Sequence, residues 1–341
     1  MILPEKTVVL MPLLLFLLFA AAVVSLSLGR YPVTWSDIYD FFTAVLSGQS
    51  LAGCRKLQIL KNLFIDIRLP RIVAAMLVGA SLSVSGAAFQ SMFINPLVSP
   101  GLLGVLAGAS FGAALGMVTT STWFAVQISS VAFGLVAVAA AVGMAAIYRG
   151  DRLLMLILGG IISSALFTSL LSVVKYLADP YSQLPAIVYW LMGGFSAIDA
   201  ETVWAVCIPM VSGIVVLISL ANYLNILSMG DEEARCLGVN VRLIRMMMIF
   251  PATLISALTV ALGGMIGWVG LVIPHIARML VGPDNRKLLP ASAVIGAIYL
   301  LVADDISRLA FTVEIPIGIL TSLVGIPFFA LILAKSKKGW N

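Results

Sequence analysis

Few residues in this sequence could do chemistry, and fewer stand at a spacing that would let them act together. The only histidine, His275, lies in Pro274-His275-Ile276-Ala277-Arg278 with no partner residue nearby, so it reads as a packing or hydrogen-bonding histidine before a proton relay. Cys54, Cys207 and Cys236 form neither a CxxC nor a Cys/His cluster, which supports neither a metal site nor a disulfide framework. Phosphate-binding loops, kinase signatures and Ser-His-Asp arrangements are missing. Enzymatic function has almost no residue-level support. What remains are charges in unusual places. Asp304, Asp305 and Arg308 form one group, and residues four apart share a helix face, so Asp304 and Arg308 are expected to make an intrahelical ion pair. The functional alternative is the coupling-ion site of a secondary transporter, although such sites usually combine carboxylates from several spans. A second group, Asp231, Glu232 and Glu233, sits in the run from Leu227 to Gly238. Ser228 or Asp231 is expected to cap a short helix there, with carboxylates in its first turn and Gly238 as its stop. That helix is either a solvated connection or a docking element for a cytoplasmic partner.

The elements that must position these groups are membrane helices. Of 341 residues, 61% are hydrophobic and only 10% charged, and the mean hydropathy is +1.12. A soluble domain carries roughly a quarter charged residues, so a water-facing surface is out of reach and a soluble enzyme with one anchor is excluded. Apolar runs of spanning length predict an all-α polytopic protein of about ten helices, at Val8 to Leu28 and at 69–93, 98–119, 122–148, 153–175, 201–222, 243–263, 271–281, 287–308 and 316–334. The first run exceeds the apolar core of a signal peptide and reads as a retained span, with a cleaved signal as the alternative. The run 271–281 is too short to cross unless neighbouring protein shields its ends.

The net charge is +5, but the bases are scattered in short loops rather than clustered, which argues against nucleic acid and for a role in topology. With the N-terminus inside, twelve Lys and Arg fall on the cytoplasmic side and eight outside, so both termini are placed in the cytoplasm. Two long connections result, 29–67 outside and 225–242 inside. A third, 176–200, carries Pro180, Tyr181, Pro185, Tyr189 and Trp190 and reads as an anchor at the membrane surface. Gly104, Gly108, Gly112 and Gly116 leave one helix face bare for close packing. The run Gly263-Gly264-Met265-Ile266-Gly267-Trp268-Val269-Gly270 follows a membrane helix, not a strand, so it is a flexible or closely packed junction and no nucleotide fingerprint. Ser164, Thr168 and Ser172 form a hydroxyl stripe on the fifth span, which either binds helices together or faces a watery path. Lys175 at its end reads as a snorkelling lysine.

From about residue 27 onward the chain resembles the permease subunits of ABC importers for iron–siderophore, haem and cobalamin. The resemblance is carried by Arg68-Leu69-Pro70-Arg71, Ser85-Gly86-Ala87-Ala88-Phe89-Gln90 with Asn95-Pro96-Leu97-Val98-Ser99-Pro100-Gly101, and Tyr189-Trp190-Leu191-Met192-Gly193-Gly194. Further along it rests on Gly230-Asp231-Glu232-Glu233-Ala234-Arg235-Cys236-Leu237-Gly238, Gly270-Leu271-Val272-Ile273-Pro274-His275-Ile276-Ala277-Arg278 and Glu314-Ile315-Pro316-Ile317-Gly318. Each motif alone is weak; their order and spacing are specific.

The resemblance implies a single transmembrane domain over 1–341 with a coupling helix at about 228–240 that sits in a groove of the ATPase. It implies that Arg68 and Arg71 face outward toward acidic residues of a substrate-binding protein, with Arg308 a looser match because one residue is missing between it and Glu314. Asn95 and Leu97 match the cytoplasmic gate of the cobalamin member, whereas Gly150 and Asp151 replace the small hydroxyl residues of that gate. The hydroxyl stripe becomes a path lining. The implied assembly is a homodimer in the inner or plasma membrane with two ATP-binding subunits and a binding protein. No cofactor is expected on this chain, ATP and magnesium belonging to the partner. The expected cargo is an iron(III) chelate, with haem, cobalamin or an oxyanion such as molybdate as alternatives, and an ion-coupled carrier using Asp304 and Asp305 is the rival of another class.

Overall fold

Backbone groups in a hydrocarbon layer must pair within their own segment, and helix is the only regular structure among the described residues. The computed structural model describes residues 4–29, 31, 33–47, 54–120, 122–147 and 152–336. The helices are α1 (Pro4–Ser27), α2 (Trp35–Leu46), α3 (Arg55–Lys61), α4 (Leu69–Met92), α5 (Val105–Thr119), α6 (Trp123–Ile147), α7 (Arg152–Leu177) and α8 (Gln183–Leu191). They continue with α9 (Ala200–Ser219), α10 (Ala221–Leu227), α11 (Asp231–Cys236), α12 (Val241–Gly263), α13 (Val269–Val281), α14 (Asn285–Leu309) and α15 (Ile317–Ser336). Seven helical stretches are long and apolar enough to cross a membrane, and the shorter apolar α5, α13 and α15 fall on the other three expected spans. The third span starts late because Pro100–Leu103 forms a 3-10 turn that ends on Gly104 at φ 86°.

The central helices are α4 and α12, whose most apolar stretches are 83% and 78% buried, against 11% for the peripheral α1. Close approach explains α4. A Cβ on Gly79 would stand 2.1 Å from the Gly296 carbonyl oxygen of α14, and one on Gly86 would stand 2.0 Å from the Gly270 carbonyl oxygen of α13. The bare face of α5 packs on α6 as expected: a Cβ on Gly108 or Gly112 would meet the carbonyl oxygen of Phe133 or Ser129 at 2.4 and 2.3 Å. Ser129 Oγ in turn donates to Gly112 O at 2.7 Å. The glycine run after α12 is a packed junction, not a flexible one. Gly264 (φ 68°) abuts Trp190 O, Gly193 (φ 75°) abuts Met265 O, and Gly318 abuts Met192 O.

The connection 29–67 is not a plain loop: its described residues include α2, α3 and a π-helical turn (Asn62–Arg68) that runs straight into α4. Its own small core joins Phe41, Leu60 and Phe64. Lys56 Nζ pairs with Asp37 at 2.5 Å, while Thr34 Oγ1 donates to the same carboxylate at 2.7 Å. At 12 and 7 residues these helices are too short to span a membrane or to hold in water alone, and packing on one another forms them.

Candidate docking and translocation sites

At the N-terminal end of α4, charges from distant parts of the chain converge. Arg71 donates through Nε and Nη2 to Asp304 at 2.8–3.0 Å and through Nη1 and Nη2 to Glu314 at 3.2 and 2.9 Å. Arg308 Nε lies 3.2 Å from Asp304 Oδ2, and its Nη2 bonds Asp305 and, at 3.0 Å, Ser25 Oγ of α1. The intrahelical pair is therefore present, within a larger network. Arg68 donates to the carbonyls of Leu26 and, at 2.8 Å, of Tyr31, and its guanidinium stands 5.9 Å from the Phe64 ring centre. Arg71 and Arg308 thus face three carboxylates, Asp304, Asp305 and Glu314, as buried charge requires, whereas Arg68 is held by backbone carbonyls alone. Asp304 is fully enclosed while the Glu314 side chain keeps 24% of its surface exposed. Arg68 and Arg308 are buried and Arg71 is nearly so, because local carboxylates and carbonyls already take their donors. Glu314 was named only as part of a motif; its pairing with Arg71 spans a separation of 243 residues, and nothing local in the sequence signals it.

Beside this cluster, a cavity of about 540 Å³ opens among the ends of α5 and α6, helix α8 and the segment 314–316. Trp123, Tyr189, Trp190 and Phe195 supply aromatic wall, and Glu314 stands on its edge. Tyr189 and Trp190 thus wall a cavity, a role beyond the membrane anchoring expected of them. On the turn before α8, the Ser182 hydroxyl and the Tyr181 backbone N–H donate to Asp179 and hold its carboxyl below its usual range.

The hydroxyl stripe of α7 faces away from the bundle, Thr168 and Ser172 being exposed and Ser164 half-buried. Ser163, one position earlier, turns inward and donates to Ala137 O at 2.7 Å. Ser172 Oγ bonds Thr168 O at 3.0 Å, a local bond that spares the hydroxyl an unsatisfied donor. His275 packs its ring against Phe328, 6.4 Å between centres, which fits a packing histidine.

At the other end of α4 the chain makes a polar knot. Ser91 Oγ donates to Asn285 Oδ1 at 2.6 Å, and Ser228 Oγ to Leu224 O at 2.7 Å. Asn225 Nδ2 donates to Asp284 at 2.7 Å. Asp284 caps α14, accepting from the Arg286 backbone N–H at 3.0 Å and from its side chain at 2.8–3.1 Å. The Arg286 guanidinium, then the Asn225 amide, holds the Asp284 carboxyl down at about 2. In the adjoining loop Asn95 Oδ1 accepts the Leu97 N–H at 2.9 Å, a side-chain turn that leaves Leu97 exposed. Gly150 and Asp151 lie outside the described residues.

The acidic helix α11 hangs from the same end. Neither Ser228 nor Asp231 caps it: Gly230 at φ 120° occupies the cap position without a side-chain bond. Ser228 is turned back to α10, and Asp231 instead clamps Arg245 of α12, with Nη1–Oδ2 at 2.9 Å and Nη2–Oδ1 at 2.5 Å. The stop is as expected. Gly238, at φ 77°, donates to Arg235 O at 2.9 Å and Val239 to Ala234 O at 3.0 Å, the bond pair of a Schellman ending. Ala234 is buried beneath, while Glu232, Glu233, Arg235 and Leu237 are exposed. In the sequence Arg245 is one of the scattered basic residues; the left-handed stop at Gly238 is the local signal that α12 turns back beside α11 and brings it to Asp231.

Among the described residues, eight apolar helices around the buried pair α4 and α12, with an exposed acidic helix at one end, define a multi-pass membrane protein. The FecCD transport family model matches residues 15–335, and the chain belongs to that family of ABC-importer permeases. It is 38% identical to the molybdate import system permease protein MolB of Haemophilus influenzae over 96% of this chain and 95% of that one. A probable iron chelatin transport system permease of Helicobacter pylori is 37% identical, over 83% of this chain and 85% of its own length. The vitamin B12 import permease BtuC of Salmonella typhi is 37% identical, over 80% and 84% respectively. Among solved structures, a metal-chelate type ABC transporter in an inward-facing conformation superposes with TM-score 0.84 at 36% identity, covering 96% of this chain and 99% of that one.

Proposed function

We propose that this permease works as a homodimer, passing a metal chelate delivered by an extracytoplasmic binding protein along a path at the dimer interface. Two separate ATPase subunits supply the work and hold the ATP and magnesium; this chain has no catalytic role. The observation that carries the proposal is α11, a six-residue acidic helix fixed by Asp231 and Arg245 and presenting Gly230, Glu232, Glu233, Arg235, Leu237 and Gly238 at one end of the bundle. That end is assigned to the cytoplasm, which places both termini there and the Arg71 cluster outside. The exposed stripe of Ser164, Thr168 and Ser172 supports α7 as path lining. Asn95 and Leu97 are assigned to the inner gate, and Gly150 and Asp151 remain in it by their place in the sequence alone.

Arg68, Arg71 and Arg308 are assigned to binding-protein docking by their position at the outer end, with Glu314 as the exposed carboxylate a docking partner would displace. Glu314→Gln tests this while keeping the buried pairs. The cargo is assigned as an iron(III) chelate; a molybdate-like oxyanion is the second reading, favoured by the 38% identity to MolB over nearly the whole chain.

The experiment is purification of the tagged protein with its neighbours under gentle detergent extraction, then ATPase and uptake assays. A co-purifying ATPase and ATP-driven uptake of radioactive iron chelate are expected. Molybdate uptake instead would replace the cargo, and purification alone with uptake driven by an ion gradient would overturn the assignment.

A further inference from the structure

Among the described residues, two other than glycine take left-handed backbone, Ile94 (φ 50°) and Trp268 (φ 69°). Trp268 is held in place by α15, where it packs against Gly325 and the Phe329 ring. Ile94, in the turn that follows α4, is instead 56% exposed. A β-branched residue is strained in that conformation, yet the turn is firmly closed: the Ile94 N–H donates to Ser91 O at 3.3 Å and the Asn95 N–H to Gln90 O at 3.0 Å. Strain of this kind gathers where a surface meets another molecule. The neighbouring turn says which. Ser228 Oγ lies 3.3 Å from Ser91 O, which brings the 228–230 turn, the entry to α11, beside the turn of Ile94. Met229 in that entry is 61% exposed, and the exposed Glu232 and Glu233 follow it. Open apolar side chains with charge beside them have the make-up of a protein interface, an apolar centre with a polar rim. A lipid-facing surface would not carry two carboxylates there.

We propose that the ATPase subunit docks on these two turns as well as on α11, with Ile94 and Met229 as the apolar centre of the contact and Glu232 and Glu233 at its rim. The proposal rests on the assignment of α11 to the ATPase. The turn of Ile94 also carries Asn95 and Leu97, assigned to the inner gate, which puts the gate one residue away from the ATPase contact.

The test reconstitutes the complex from full-length permease in detergent and the ATPase that co-purifies with it, reading the dissociation constant by titration and the stability of each permease variant by a thermal melt. Ile94→Asn keeps the left-handed turn, which asparagine tolerates, and removes the apolar surface. Binding about tenfold weaker is expected, with a melt equal to or above that of the unmodified permease. Met229→Ser should weaken binding in the same direction, and Ile94→Met, apolar but unbranched, should bind as the unmodified protein does. Unchanged affinity in Ile94→Asn, or an equal loss in Ile94→Met, would overturn the proposal. A permease dimer cross-linked through Ile94→Cys and absent without that substitution would do the same. Glu232→Lys with Glu233→Lys is titrated in parallel. If that variant also binds normally, the assignment of α11 itself fails; if it alone binds weakly, only the contact at Ile94 and Met229 fails.

Discussion

The two ends of α4 treat charge in opposite ways. At its N-terminal end, Arg71 and Arg308 share Asp304, a carboxylate with no exposed surface, and the cluster ties α1, α4, α14 and the segment before α15 together. At its C-terminal end, one pair, Asp231 with Arg245, fixes α11, and the neighbouring Glu232 and Glu233 are left exposed. Taking a charge out of solvent is expensive unless a partner follows it, so the Arg71 cluster is first a structural clamp. An exposed acidic turn on a fixed base is instead suited to recognition, because its charges meet a partner without leaving one another. A charge swap at Arg71 would therefore report on folding before docking: Arg71→Glu would place a third carboxylate beside Asp304 and Glu314.

The contrast can be broken at its strongest point. Asp304→Ala leaves two buried guanidiniums short of a partner and should lower stability by about 3–5 kcal/mol, read as loss of monodisperse protein after extraction. Asp231→Ala removes the clamp of α11 and strands the buried Arg245; about 1–3 kcal/mol is expected, with ATPase coupling lost before the fold. Gly238→Ala should be milder, about 1–2 kcal/mol, since alanine resists the left-handed backbone at φ 77°; a thermal melt of the complex measures it. Glu232→Lys with Glu233→Lys should barely move the melt yet weaken co-purification of the ATPase, and full retention would count against the coupling assignment. The smallest effect concerns Asp284. Its carboxyl titrates at about 2, below the ordinary 3.8, so its contribution is complete above about pH 4 and is lost as pH falls toward 2. The melting temperature of Asp284→Asn should therefore fall less over that interval than that of the unmodified protein.

The spans were legible because lipid leaves the backbone little choice but helix, and apolar runs of the right length say where. The connections were not. Helices α2, α3 and α8 depend on tertiary contacts of a few aromatics such as Phe41 and Phe64, which composition does not reveal. At the α11 end Gly238 is a readable stop because left-handed backbone has a residue preference. The cap is not readable, since the side chains of Ser228 and Asp231 find better partners in α10 and α12. At the other end the arginines are visible as a motif, but their burial depends on Asp304, Glu314 and the carbonyls of Leu26 and Tyr31.

One feature joins the two ends. Helix α12 begins beside α11, carries Arg245 within its first turns, and ends at Leu262 and Gly263, where Leu262 lines the aromatic cavity and Gly263 O accepts the Gly194 N–H at 2.8 Å. Its 23 residues, with Pro251 in the interior, extend about 35 Å, buried along most of that length and held at both tips. In the coupling role proposed for α11, a displacement of that helix would bear through Asp231 and Arg245 on α12, whose other tip meets the glycine contacts that hold α8 against the start of α15.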